Sequence, residues 1–249
     1  MGRTFECDPL NPSQGMHRPA LGNFPHEMMA VDATTGEVYM VEDAPGGRLY
    51  KFSPSNPGSV ASGSLFAAVV TAGAVTWVRT SETVPDRSPA TTAFAGGEGM
   101  WLQDRTLFFS TKGDVKVWKL DLATSTLTTL YDFSQQPSSP LNAVDNIVGH
   151  PVTKDLFVAE DGGNLELCRL NPTTGEASVF LRFAGHDASE VTGIAFSPTG
   201  SRLYVASQRG TDGVHGQLFE IVGPFAAIPP DMVIDGPLAP AERIGTATM

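Results

Sequence analysis

The sequence predicts an all-β chain of the β-propeller class. Three observations carry that prediction. Four segments can be laid over one another, the later ones start 48 and 46 residues apart, and no segment sustains a helical period. Spacings of that size fit a four-stranded blade and fit a β-sandwich poorly.

The first segment runs from His26-Glu27 through MMAVDATTGEVYMVED to Gly46-Gly47 and LYKF. It reads as a strand, a turn at Thr35-Gly36, a continuous apolar strand, a glycine loop and an alternating strand. The second, Gly97 to Asp121, repeats that order with a tight turn at Asp104-Arg105 and an alternating strand from Val115 to Leu120; Leu127–Leu130 supplies a fourth strand. The third starts at Asp145-Asn146, turns through Asp161-Gly-Gly and ends in Leu165-Glu-Leu-Cys-Arg-Leu, with Ser178–Leu181 as its fourth strand. The last starts at Glu190 and finishes in GQLFEIV.

Aligned starts at Glu27, Glu98, Asn146 and Thr192 give intervals of 71, 48 and 46 residues. The long first interval holds residues 53–95, rich in Ser, Pro, Thr and Gly, with the apolar pieces LFAAVV and AVTWV. This is read as an insertion between blades that carries a hairpin of its own. Residues 1–225 are thus expected to form the propeller domain and 226–249 a C-terminal tail. Four blades are recognisable, and the pattern also accommodates five or an incomplete six-bladed ring.

Composition narrows the function. With 16 Lys and Arg against 27 Asp and Glu, the net charge is −11. A chain so acidic lacks the basic face that displaces phosphate counterions, so nucleic acid is excluded as a partner. The longest apolar run, Leu65 to Val78, is too short for a membrane span and is broken by Thr71, Gly73 and Thr76. A monomer is expected. Residues 1–12 show no apolar stretch of a secretory signal, which taken alone points to the cytoplasm. Cys7 and Cys168 are too few for a disulfide scaffold, and Cys168 is expected to be a core thiol.

Familiar catalytic motifs are missing. His26-Glu27-Met-Met-Ala lacks the second histidine of a zinc-protease helix, and there is no GxSxG, P-loop or GxGxxG. His17, His150, His186 and His215 fall in loops or turns and are expected to be solvated.

What recurs instead is acid. In a blade, the start of the innermost strand and the loop after the second strand lie on one side. Starts carry Glu27, Glu98, Asp145-Asn146 and Glu190; the loops carry Glu42-Asp43, Asp114 and Glu160-Asp161, with Gln208-Arg209 in the last blade. Carboxylates gathered in this way repel one another unless cations sit between them, and oxygen donors suit Ca2+, Mg2+ or ferric iron rather than zinc. Any single one of these residues can equally cap its own turn. The metal-binding set read from the sequence is Glu27, Glu98, Asp145, Asn146, Glu160, Asp161 and Glu190.

Phe24-Pro-His-Glu27 with Ala30-Val-Asp and Val38-Tyr-Met-Val-Glu-Asp43 resembles the HEA-x-AVD and VYLTED blocks of PhoX-like alkaline phosphatases. Glu98-Gly-Met-Trp, Asp145-Asn146 with Glu160-Asp161-Gly, and Glu190-Val-Thr-Gly-Ile-Ala-Phe resemble further blocks of that family in the same order, over about Thr4 to Phe225. The resemblance implies a propeller phosphatase that hydrolyses small phosphate monoesters with iron (Fe3+) and calcium (Ca2+). It makes Glu27 and Glu98 metal ligands, places Asp145 at the calcium and phosphate end, and names Glu98 and Asp145 as catalytic. It also implies export to the periplasm or beyond, so location stays open. Two departures stand out. The family's cysteine ligand to iron has no counterpart here, since Cys7 is in a different context. An arginine expected two residues before Glu98 is Gly96, leaving Arg209 or Arg105 as substitutes. Two other readings remain at this point: a calcium-dependent lactonase-like hydrolase using Glu27 or Glu98 with Asn146 and Asp161, and a non-catalytic calcium-binding propeller.

Overall fold

The computed structural model describes residues 2–83, 87, 90–162, 164–223 and 225; the tail expected at 226–249 lies outside the described residues. The chain is all-β and of the propeller type, built from antiparallel blades in which strands follow one another in sequence. After the short pair β1 (Phe5–Glu6) and β2 (Met16–His17), the first blade contains β3 (His26–Val31), β4 (Val38–Glu42), β6 (Leu49–Pro54) and β7 (Gly63–Thr71), with the three-residue β5 (Pro45–Gly47) outside it in the loop between β4 and β6. The hairpin partner β8 (Ala74–Arg79) and the short β9 (Phe94–Ala95) precede the second blade: β10 (Gly97–Gln103), β11 (Thr106–Thr111), β12 (Lys116–Asp121) and β13 (Thr126–Asp132). The third is β14 (Ile147–Gly149), β15 (Leu156–Ala159), β16 (Glu166–Leu170) and β17 (Ala177–Arg182); the last is β18 (Val191–Phe196), β19 (Arg202–Ser207) and β20 (Gln217–Val222).

Two compact units divide the chain. The first holds Met1–Gly113 and Lys119–Thr128, the second Asp114–Trp118 and Thr129–Met249. In the first, the segment read as an insertion supplies β7, which pairs with β6 along five residues, and β8, which meets β13 at Thr126↔Ala74. The hairpin therefore joins two blades into one nine-stranded sheet in the order β10-β11-β12-β13-β8-β7-β6-β4-β3. No helix among the described residues is long and apolar enough to cross a membrane.

The second strands explain why the repeats were visible. VYMVE and LFVA are buried at every position, so they read as unbroken apolar runs. In the first unit, Val38, Met40, Tyr50, Phe52, Leu65 and Ala67 pack with Leu21 and Phe24. In the second, Phe157, Phe180, Phe196 and Phe225 meet mainly edge to face, at centroid separations of 4.9 to 5.8 Å.

Turn chemistry recurs with the blades. Asp32 Oδ1 accepts Thr34 N–H at 2.9 Å, Asp121 Oδ1 accepts Ala123 N–H at 2.7 Å, and Asn171 Oδ1 accepts Thr173 N–H at 2.9 Å. The β10–β11 turn puts Asp104 and Arg105 at φ 47° and 61°, the left-handed pair that a two-residue hairpin needs. Arg105 then reaches Asp32 at 2.6 Å.

Burial pushes the Asp32 carboxyl up, but the Thr34 N–H, the Thr35 hydroxyl and the Arg105 charge outweigh it and hold the group below the usual carboxylate value. A carboxyl depressed in the folded state contributes stability that is complete above its unfolded pKa and is lost as pH falls through the folded one. Stability is therefore expected to drop on acidification below about pH 4. Asp32→Ala should cost about 1–2 kcal/mol at neutral pH and flatten that slope, as read by urea unfolding across pH. An unchanged slope would contradict the assignment.

Candidate metal centre

The inner strand of each blade begins with a β-bulge. His26 faces Glu42 and Met29 faces Met40, so Glu27 and Met28 together oppose a single residue. Gly97 faces Thr111 and Met100 faces Phe109, which puts Glu98 and Gly99 in the same relation. In the second unit, Asp145 N–H and Asn146 C=O both bond to Ala159 at 2.9 Å, and Gly193 with Ile194 lies between the pairs Thr192↔Ala206 and Ala195↔Tyr204. The first bulge position is thus occupied by Glu27, Glu98, Asp145 and Gly193. The sequence reading placed Glu190 in this series; the register puts it three residues earlier, and the fourth blade has a glycine there.

Local bonds hold the first unit's carboxylates together. Gly97 has no side chain because a Cβ would sit 2.5 Å from Val41 Cβ; β10 therefore lies directly on β4. The small pair β5–β9 aligns Pro45 with Ala95 and Gly47 with Phe94, tying the loop after Asp43 to the start of β10. Inside the bulge the buried Ser110 hydroxyl accepts Gly99 N–H at 2.8 Å. The outcome is one group: ligand oxygens of Glu27 (exposed), Asp43 (half-buried) and Glu98 (buried) lie within 4.8 Å of one another. Asp43 was visible in the sequence as a loop residue but was not part of the metal set.

Lys112 was not foreseen. It follows β11 at the position that Asp43 holds after β4, and its ammonium pairs with the Glu98 carboxylate and lies 3.5 Å from Asp43 Oδ2. The chain itself thus brings a cation to these oxygens. Three hard donors at this spacing fit calcium, magnesium or ferric iron. His26, beside Glu27, turns its Nε2 to the Gly22 carbonyl at 3.2 Å and stacks on Phe24, and burial holds its pKa below the usual value.

In the second unit the predicted residues have separate partners. The Asn146 amide donates to Asp145 at 2.6 Å, and its Oδ1 accepts from the Thr192 hydroxyl and Gly193 N–H, both at 3.2 Å. Glu160 is fully buried, accepting Asn142 and Ala143 N–H on one oxygen and Glu166 N–H on the other. Asp161 is exposed, and Glu190 lies 3.7 Å from Arg209.

Three expectations are corrected. Arg105 is in the turn at the far end of β10 from Glu98 and is paired with Asp32, so it does not serve this site. His150 is buried rather than solvated: Nδ1 accepts Val152 and Thr153 N–H, leaving Nε2–H for the Gly200 carbonyl at 2.9 Å. His186 is also buried, against Phe183 and Phe219, with the Ser207 hydroxyl 2.8 Å from Nδ1.

A family model described as alkaline phosphatase PhoX matches residues 1–137. No curated protein matches the chain significantly. Among solved structures, Pseudomonas fluorescens PhoX in complex with vanadate, a transition state analogue, aligns with a TM-score of 0.64 at 18% identity, over 82% of this chain and 51% of that one. The nidogen/laminin complex aligns with a TM-score of 0.54 at 14% identity, over 83% of this chain and 64% of that one. These likenesses establish the fold, and the chain spans about half the length of the PhoX chain.

Because Gly97 sets the approach of β10 to β4, Gly97→Ala should destabilise the chain by about 1–3 kcal/mol through overpacking. If the three carboxylates hold calcium, it should also weaken that binding as measured by calorimetry, since Glu98 is the next residue. Unaltered stability and binding would show that the close approach is dispensable.

Proposed function

The chain belongs to the PhoX alkaline phosphatase family, and on that premise we propose that it is a metal-dependent phosphomonoesterase acting at Glu27, Asp43 and Glu98. The observation that carries the reading is the convergence of these three carboxylates on one point, two of them from equivalent bulges in different blades. Hard cations, Ca2+ and Fe3+ by family resemblance, would be held there and would supply charge for the ester oxygens and an acidified water. No side-chain nucleophile is required, in keeping with the absent serine and cysteine motifs.

The chain's own residues prepare that chemistry. Burial of Glu98, 2% exposed, fixes its oxygens in a low-dielectric setting where each charge counts more than in water. Lys112 orients Glu98 and Asp43, and its ammonium is a donor suited to a phosphate oxygen. Asp145, buried and bonded to the Asn146 amide, is the matching first-position carboxylate of the third blade and is proposed, within the second unit, as a metal ligand, with Asn146 offering a further oxygen donor. The substrate class is small phosphate monoesters, whose dianion would be repelled by the bare carboxylates and attracted once cations are bound.

The test is hydrolysis of p-nitrophenyl phosphate by the purified chain with calcium and ferric iron. Turnover should disappear with a chelator and fall at least about a hundredfold in Glu98→Ala. Lys112→Met should raise KM, because it removes a cationic donor without removing a carboxylate. A metal-loaded chain with no turnover, or one indifferent to Glu98→Ala, would overturn the proposal.

A further inference from the structure

A second group of ligating side chains lies wholly within the second unit and does not depend on the phosphatase reading. Glu160, Glu166 and Cys168 are all buried, and each offers a ligand atom within 4.8 Å of the others. Its origin is visible by comparison of the first and third blades. In the first, Glu42 ends the second strand and clamps the loop that follows: its N–H donates to Arg48 C=O, and Arg48 N–H returns to Glu42 Oε2, both at 3.2 Å. In the third, Glu160 does the same with Glu166, at 3.1 and 3.0 Å. The clamp is one device used twice, with Arg48 matched by Glu166 and Tyr50 by Cys168.

The surroundings of the two clamps differ in charge. Glu42 takes the Tyr50 hydroxyl at 3.1 Å and an ion pair from Arg87. Glu160 has no ion pair among the described residues; its neighbours are a second carboxylate and a thiol. Arg182 pairs with Oε1 of Glu166, but Oε2 of that residue has no hydrogen-bond partner although Glu166 is 0% exposed. An acceptor buried so completely and left open is costly unless something positive meets it.

We propose that Glu160, Glu166 and Cys168 bind a borderline divalent cation of the zinc class. Two oxygens and a thiolate suit such an ion better than calcium, which takes oxygen alone. The outer bonds are already in place, as they are around protein metal ligands: three backbone N–H groups orient Glu160 and Arg182 orients Glu166. On binding, the Cys168 thiol proton and any proton held by Glu160 pass to solvent, and the sulfur and carboxylate lone pairs go to the ion. Two carboxylates, a thiolate, Arg182 and a divalent ion then sum to zero charge. In the absence of an ion, burial pushes the Glu160 carboxyl up to about 7 and the Cys168 thiol well above its usual value, so protons take the cation's part.

Zinc and cobalt(II) are added to chelator-treated wild-type, Cys7→Ser and Cys168→Ser chains. Cobalt should give a thiolate charge-transfer band saturating at a single equivalent in wild type and Cys7→Ser, and none in Cys168→Ser. Glu166→Gln should weaken zinc binding at least about tenfold. Should Cys168→Ser fail to fold, X-ray absorption at the zinc edge of the wild-type chain decides, with one sulfur expected in the first shell. A wild-type chain without the band, a band that vanishes with Cys7 instead, or a first shell without sulfur would overturn the site.

Discussion

Each inner strand starts with two residues facing one, and the chemistry of the chain depends on that extra residue. A regular strand would alternate its side chains between two faces, leaving the first carboxylate to whichever face the count dictated. The bulge re-aims it and frees a backbone N–H that needs a new acceptor. In β10 the Ser110 hydroxyl takes Gly99 N–H. At the start of β18 the Asn146 side chain takes Gly193 N–H. The polar residues that look like ligands in sequence are thus of two kinds: those the bulge presents, and those that satisfy what the bulge has disturbed. Asn146 has a documented place in the second kind.

The end of the second strand shows a related division. Its last carboxylate, Glu42 or Glu160, bonds along its own blade to the residue six positions on, closing the loop. Asp43, the residue after Glu42, joins the bulge carboxylates Glu27 and Glu98 instead, and Lys112, at the same place after Thr111 in the second blade, pairs with Glu98. In the sequence the pair Glu-Asp appears as one acidic doublet. In the first blade it is a clamp followed by a carboxylate that joins Glu27 and Glu98, because successive side chains leave a strand on opposite faces.

The propeller class was legible because its second strands are buried on both faces and leave runs such as VYMV and LFVA, while the turns between strands carry Asx and Thr-Gly chemistry that resists other readings. Glu27 and Glu98 were legible for the same reason, standing at a fixed offset before those runs. Glu190 was misplaced because counting from an apolar run cannot detect a bulge: Gly193, at φ 62°, holds the position and carries no charge to announce it. Lys112 was missed because its meaning lies in a partner 14 residues away and another in a different blade. His150 looked solvated because it stands in a turn, yet the turn's own N–H groups, those of Val152 and Thr153, satisfy its Nδ1 and let it be buried. The acid-thiol pair of Glu166 and Cys168 is unremarkable in an alternating strand until the clamp of Glu160 is set beside it.

One backbone position shows how a repeated fold supports uneven chemistry. Aspartate stands after the second strand in the first blade, lysine in the second, aspartate again in the third. The blades do not need any of these charges to pack, since each side chain is at least partly open to solvent. Charge can therefore change there without altering the core. In the first unit the sum is instructive: the three carboxylates and the one ammonium add up to a charge of −2. A divalent ion would neutralise that group without displacing Lys112, whereas a trivalent one would leave a positive charge facing an incoming anion. On the proposed function, the lysine thus decides which ion turns an acidic, phosphate-repelling surface into an attracting one, and it does so from a position on which the fold makes no demand.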